Sequence, residues 1–244
     1  MRFCCRRFLL SFALASVSVV NIAHSAPLAY FGADSPRGTL TNSNAAFNSF
    51  VATLSSYGID DLESYPNFTV NPTLTFGTTG LTALPDFRQV ATFALFAVSG
   101  TNSLVDAGPS SPTGAAINDN LTFNKPITAF GSYFSNAGDS AVANTISLRL
   151  ENTLLGTSKL VSIGTRGPSL SFDNVFFLGI TDTEPFNKVS LLESYDYDGI
   201  LLDNITAGYV AIPEASSFLL CGLVLTGLAV AGWRSRAAHV TSHR

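Results

Sequence analysis

The densest group of oxygen ligands in the sequence lies between residues 193 and 204. It reads Glu193-Ser194-Tyr195-Asp196-Tyr197-Asp198-Gly199 and is followed by Asp203-Asn204. Carboxylate and amide oxygens close together in a sequence are the ligands that calcium prefers. Asp196, Asp198 and Asp203 are therefore candidate calcium ligands, although the spacing is not that of an EF-hand loop. The alternative is a solvated hairpin turn with Asp198-Gly199 at its tip.

Two tyrosines in this stretch are candidates for carbohydrate binding. Tyr195 and Tyr197 flank Asp196, and in an exposed turn they would form a small amphipathic patch. Tyr133 and Tyr209 are further candidates of the same kind. The alternative is that these rings cover the edge of a sheet.

Most catalytic side chains are absent from the middle of the chain. The histidines and cysteines lie only in the two end segments, at Cys4, Cys5, His24, Cys221, His239 and His243. This excludes a serine triad, a thiol nucleophile and the usual zinc sites from the middle. Two carboxylates suffice for glycoside hydrolysis, but no spacing marks a pair. We therefore expect a non-enzymatic protein without a required cofactor, with a carboxylate-dependent glycan-cleaving enzyme as the alternative.

The first 25 residues have the organisation of a secretory signal peptide. Arg2, Arg6 and Arg7 precede an apolar stretch over residues 8–20, and small residues follow. This pattern predicts export, with cleavage between Ser25 and Ala26. An uncleaved N-terminal anchor is the alternative.

Charge limits the partners of the segment between the two ends. Residues 26–212 contain 7 basic and 16 acidic residues, which is a net charge of −9. An acidic surface repels nucleic acid, so nucleic acid is excluded as a partner.

The pattern of apolar residues in the middle predicts an all-β fold. Residues 144–150 alternate apolar and polar, and short intervals between turn residues are typical of a sandwich. One stretch differs, because Phe47, Phe50, Val51 and Leu54 recur at helical spacing within Ser43–Tyr57. We predict a single β-sandwich domain over 26–209 with one short helix near its N-terminus. Further predicted strands cover residues 68–76, 89–98, 127–134, 158–163, 174–180, 187–193 and 200–210.

The C-terminal segment is a candidate membrane anchor. Residues 216–233 carry no charge, and a helix of this length spans most of a hydrocarbon core. Arg234 and Arg236 follow directly and favour a cytoplasmic tail over residues 237–244.

The order of these parts resembles the PEP-CTERM sorting signal. The match lies in Ile212-Pro213-Glu214, the apolar helix within 210–236, and Arg234 and Arg236 as the positive stop. Ala215 stands where the family usually has Pro. The resemblance implies transient anchoring in the inner membrane of a Gram-negative-type bacterium and processing by an exosortase. It also implies a final place at the cell surface or in the extracellular matrix.

Three strand-like stretches are similar to those of PEP-CTERM ectodomains. They are Ile127 to Phe134 (ITAFGSYF), Phe177 to Ile180 with Pro185 to Val189, and Tyr197 to Ile205. The resemblance implies a jelly-roll or lectin-like sandwich. The function we expect is that of a surface or matrix component associated with exopolysaccharide, or weakly binding it.

Overall fold

The expected mostly-β fold is confirmed. The structure is a computed structural model, and it describes residues 26–34, 38–86, 88–106, 117–136, 144–166, 174–193 and 200–211. Within these residues there is one α-helix, α1 (Thr41–Val51), and one turn of 3-10 helix at Gly77–Thr79. The strands of the described residues are β1 (Leu28–Asp34), β2 (Leu54–Asp60), β3 (Leu74–Thr75), β4 (Thr82–Pro85), β5 (Arg88–Thr92), β6 (Asn102–Asp106), β7 (Ile117–Ser135), β8 (Asn144–Asn152), β9 (Thr157–Arg166), β10 (Val175–Glu193) and β11 (Leu201–Val210).

Two long bent strands divide the sheet into two layers. β7 and β10 pair along both of their halves, and their register shifts between Thr181, Phe186 and Lys188. Pro126 and Pro185 lie in the same stretch and are exposed. Proline has no N–H for the ladder and is found at bulges and edges of sheets. The ladder therefore breaks here, and each strand continues into the other layer.

Each layer uses one half of each long strand. The first layer has the order β5-β6-β11-β7-β10-β1, with the second half of β7 and the first half of β10. The second layer has the order β4-β7-β10-β8-β9, and β3 pairs with β4. β2 pairs with the second half of β11. All of these pairings are antiparallel. The two layers together form a sandwich-like fold.

The main core lies between the two layers. Strand alternation places one face of each layer in the core, and all of these side chains are buried. The first layer contributes Val90, Leu104, Phe134, Phe176 and Leu202. The second layer contributes Leu121, Leu148, Leu150, Val189 and Leu191.

The helix α1 packs on the outer face of the first layer. Phe50 is fully buried there, as expected from its helical spacing, and its ring contacts Phe177. Gly131 and Gly179 are direct cross-strand partners beneath this ring. A Cβ at Gly179 would lie 2.6 Å from a Phe50 ring carbon. The glycines of the ITAFGSYF and FLGI stretches thus make room for the helix.

The predicted helix was too long at its C-terminal end. It ends at Val51 rather than Tyr57, because Leu54–Asp60 forms β2 and pairs with β11. Its first turn is capped by Asp34 of β1, which accepts hydrogen bonds from the backbone N–H groups of Asn42 and Ser43. Burial acts to raise the pKa of Asp34, but these bonds, together with those from the Ser43 hydroxyl and the Asn42 side-chain amide, outweigh it and lower the pKa.

Other element boundaries also differ from the prediction. The predicted strand 89–98 ends at Thr92, and of 68–76 only Leu74–Thr75 is a strand. The stretches 174–180 and 187–193 belong to one strand, β10.

The predicted targeting segments cannot be compared with the structure. Residues 1–25 and 212–244, including the predicted helix 216–233, lie outside the described residues. Among the described residues, no helix is long and apolar enough to cross a membrane.

Candidate functional site

The candidate site is built on the outer face of the first layer. Val90, Leu104 and Leu202 are cross-strand neighbours in β5, β6 and β11, and all three are buried in the core. Side chains alternate along a strand, so the residues next to these three in each strand project from the opposite, outer face of the layer. This outer row consists of Gln89, Val105 and Leu201.

The outer row forms part of a groove of about 360 Å³. We call it the aromatic groove and define it by its nine lining residues. These are Phe68, Gln89, Ala91, Phe93, Phe96, Val105, Asn136, Ile200 and Leu201. The rings give it an exposed apolar character, since Phe68 is 69% exposed and Phe93 is 47% exposed.

Two of the rings come from the turn that follows β5. The backbone N–H groups of Phe96 and Ala97 donate to the carbonyl oxygen of Phe93, at 2.8 and 3.0 Å. The Phe93 and Phe96 rings meet edge to face, with centroids 6.4 Å apart. Ser135 Oγ donates to the Phe96 carbonyl oxygen at 2.9 Å. These bonds fix the turn over the sheet.

The third ring lies along the outer edge of β5. The backbone N–H of Phe68 donates to the Val90 carbonyl oxygen at 2.8 Å, and the N–H of Val90 donates to Thr69. Asn67 Oδ1 accepts a hydrogen bond from the backbone N–H of Thr92. The segment is therefore held by its backbone, which leaves the Phe68 ring exposed.

A buried carboxylate holds the far end of the turn. Asp203 is 2% exposed, and its Oδ2 accepts the backbone N–H groups of Val98 and Ser99 at 2.6 and 2.8 Å. Its Oδ1 accepts the backbone N–H of Asn204 at 2.6 Å. Burial raises the pKa of Asp203 to about 6, although the hydrogen bonds act in the opposite direction.

A second carboxylate holds the start of β6. Glu63 Oε1 accepts the backbone N–H groups of Thr101 and Asn102 at 2.9 and 2.7 Å. Hydrogen bonds to Asp203 and Glu63 thus fix the backbone of the loop between β5 and β6. This backbone carries the rings of Phe93 and Phe96.

The described lining of the groove combines apolar side chains with two amides. Gln89 and Asn136 are half-buried amides, and an amide side chain both donates and accepts hydrogen bonds. The other seven lining residues are apolar. None of the nine described lining residues has a titratable side chain of the kind used in general acid–base catalysis.

The buried carboxylates of the described residues serve the fold. They are Asp60, Asp119, Asp182 and Asp203. Asp119 pairs with buried Arg88 beside an internal void of about 10 Å³, which is too small for an organic ligand. Asp182 pairs with Lys159, and Asp60 accepts the hydroxyl of Tyr65. Each of them thus receives hydrogen bonds from the protein itself.

The predicted calcium ligands are not assembled into a site within the described residues. Asp196 and Asp198 lie outside the described residues, and Asp203 is engaged by backbone N–H groups. No group of three or more His, Cys, Asp or Glu residues in the described part of the chain is placed to hold a metal ion. The calcium site stays a prediction.

The predicted carbohydrate-binding tyrosines have different outcomes. Tyr195 and Tyr197 lie outside the described residues, as do Ser25, the sorting residues Ile212, Pro213, Glu214 and Ala215, and the stop residues Arg234 and Arg236. Ala26 is the first described residue. Tyr133 is 3% exposed beneath α1, where its hydroxyl donates to Asn44, so it is a packing residue.

Sequence reasoning did not identify the three phenylalanines of the groove. They lay inside predicted strands, where a core position is the usual role of Phe. One signal was present, because Pro66-Asn67 directly precedes Phe68 and is typical of a turn.

Comparisons with known proteins identify no family. No protein-family model matches the chain, and no curated protein matches it. A family 29 carbohydrate-binding module complexed with mannohexaose is 15% identical, with 63% of this chain and 93% of that chain covered and a TM-score of 0.35. The cleaved adhesin domain of Lys-gingipain is 13% identical, with 62% and 99% covered and a TM-score of 0.40. Similarities this distant do not establish a function, so the function must be argued from the residues of this chain.

Proposed function

We propose that this protein is an exported, non-enzymatic surface or matrix protein that binds extracellular polysaccharide in the aromatic groove. The observation that carries the proposal is the grouping of three phenylalanine rings with two amide side chains in one open groove. Ligand sites are typically clefts with mainly apolar and aromatic walls and a few placed polar groups.

The chemistry of the groove matches that of a sugar chain. A sugar ring has apolar C–H faces and a rim of hydroxyl groups. The exposed side chains of Phe68 and Phe93 offer apolar contact area, as aromatic rings do in binding sites generally. The amide of Gln89 offers both a donor and an acceptor for hydroxyl groups.

The cellular location in this proposal is supported by the sequence. The signal peptide predicts export with cleavage before Ala26, and Ile212-Pro213-Glu214 with the following apolar segment predicts exosortase sorting. β11 runs to Val210, and the backbone N–H of Ala211 still donates to Thr53 at 3.0 Å.

Co-sedimentation tests the proposal with the protein purified from the cells that export it. The protein is mixed with their exopolysaccharide, and Phe93→Ala is compared with the parent chain. We expect the parent chain to sediment with the polymer and Phe93→Ala to remain mainly in solution. Tyr57→Ala is the matched control, because Tyr57 is a 42% exposed ring on β2 that is not part of the groove lining.

The same samples test the enzymatic alternative. A non-enzymatic protein leaves the number of reducing ends unchanged over time. Release of reducing ends by the parent chain would contradict the proposal and favour a carboxylate-dependent glycan-cleaving enzyme.

A further inference from the structure

We infer that the aromatic groove selects uncharged polysaccharides over polyanionic ones. This inference rests on the proposed function and adds the chemical class of the ligand. It follows from the groove lining and from the charge of the whole domain.

Among the residues that the structure describes, the groove lining contains no partner for an anion. Its nine residues are apolar or carry an amide, so a carboxylate or sulfate placed there would lose water without gaining a cation. Burying an unpaired charge is costly, whereas an uncharged hydroxyl needs only a donor or an acceptor.

The cation nearest in sequence to the groove is already engaged. Arg88 precedes Gln89 in β5 but projects into the core, where it is 2% exposed. Its guanidinium donates to Asp119 and to the carbonyl oxygen of Ile200. It therefore cannot pair with an anion on the outer face.

The charge of the domain acts in the same direction. Residues 26–212 carry a net charge of −9, which repels a polyanion at low salt. Val105, Asn136 and Ile200 of the groove lie near the sequence stretches 107–116, 137–143 and 194–199. These stretches contain Asp139, Asp196 and Asp198 and no lysine or arginine.

Binding of an uncharged polymer should then depend little on salt. Stacking and hydrogen bonds to amides are not screened by ions, whereas attraction between exposed charges is. Salt dependence therefore separates groove binding from adsorption of a polycation on the acidic surface.

Affinity electrophoresis of the exported protein provides the test, with a chelator present so that calcium cannot bridge acidic groups. The probes are an uncharged glucan, an uncharged mannan, the polyanions alginate and hyaluronan, and the polycation chitosan. We expect at least one uncharged polymer to retard the protein at low and high salt, about tenfold more tightly than either polyanion. Phe93→Ala should weaken this retardation at least about tenfold.

A matched pair of substitutions tests charge selection directly. Gln89→Lys and Gln89→Glu both replace the same amide but introduce opposite charges. We expect Gln89→Lys to bind the polyanions measurably and Gln89→Glu to exclude them, while both lose a similar part of the binding to the uncharged polymer.

Three other results would overturn the inference, and two of them would also overturn the proposed function. Tighter binding of a polyanion that is lost in Phe93→Ala would overturn the inference and leave the proposed function intact. Absence of groove-dependent binding to any probe, together with no binding to the cells' own exopolysaccharide, would overturn both. Retention of a purified protein partner by the Phe93-dependent surface, with no polysaccharide bound, would also overturn both.

Discussion

The carboxylate of Asp203 in β11 accepts the backbone N–H of Ser99, which lies 104 residues earlier in the chain, at 2.8 Å. This bond joins the outer face of the first layer to the loop that carries Phe93 and Phe96. Two further titratable groups belong to this region of the fold. Tyr133 of β7 has its pKa raised to about 12, first by burial and then by Asp203 and Asp34, and Glu63 holds the next residues of the loop.

Asp203 should give the protein a characteristic pH dependence of stability. Its pKa is raised from 3.8 to about 6 in the folded state, so the folded protein binds a proton before the unfolded chain does. The stabilisation by this proton is complete below about pH 4 and is lost as the pH rises through about 6, by on the order of 3 kcal/mol. Denaturant unfolding should therefore show the parent chain gaining stability relative to Asp203→Asn as the pH falls from 7 to 4.

Asp34 provides a control of opposite sign. Its pKa is lowered in the folded state, so its contribution is present above about pH 4 and is lost on acidification. The parent chain should lose stability relative to Asp34→Asn at low pH. The same pH trend for both variants would contradict the assignment of these shifts.

The two glycines under Phe50 should not tolerate a larger residue. At Gly179 a Cβ would lie 2.6 Å from the Phe50 ring, so Gly179→Ala must displace α1 or the strand. We expect a loss of about 1–3 kcal/mol in the free energy of unfolding. Combining Gly179→Ala with Phe50→Leu should cost less than the sum of the two single changes, and strict additivity would contradict the packing argument.

The buried ion pair of Arg88 and Asp119 should be far more sensitive to substitution than the half-buried pair of Lys188 and Glu151. Asp119→Ala leaves the buried guanidinium of Arg88 without its carboxylate and should cost about 3–5 kcal/mol. Lys188→Ala breaks a half-buried pair with Glu151 and should cost less than about 1 kcal/mol. Equal losses in urea unfolding would contradict the view that burial decides the difference.

Strands and helices were predictable where the apolar residues recurred at a clear spacing. Alternation in residues 144–150 predicted β8, and the Phe47–Phe50 spacing predicted α1, because a buried stripe or face leaves a local signature. The joining of 174–180 and 187–193 into β10 was not predictable in the same way. Pro185 normally ends a strand, and only the pairing with β7 shows that the strand bends and continues.

The aromatic groove could not be predicted from the sequence for a different reason. Its lining comes from residues 68, 89–105, 136 and 200–201, which strand pairing brings together. A Phe in an alternating stretch has the same local pattern whether it faces the core or a groove. The acidic stretch 193–204 predicted a ligand site, but its residue Asp203 accepts backbone hydrogen bonds from the loop that carries Phe93 and Phe96.

The two targeting segments give a prediction for the mature protein. Signal-peptide cleavage should leave Ala26 at the N-terminus, and exosortase processing should remove the chain beyond the Ile212-Pro213-Glu214 motif. Mass spectrometry of the protein isolated from the cell surface tests both ends. A mature protein that still ends at Arg244 would contradict sorting by cleavage and favour a permanent membrane anchor.

The affinity of the aromatic groove for the cells' own exopolysaccharide tests the central claim most directly. Titration of the exported protein should give saturable binding that weakens at least about tenfold in Phe93→Ala and further in the Phe68→Ala/Phe93→Ala double variant, because each ring supplies stacking area. Phe93→Tyr should keep most of the affinity, and Tyr57→Ala should keep all of it. Binding that is unchanged in the double variant, with both variants folded, would show that the groove is not the polysaccharide site.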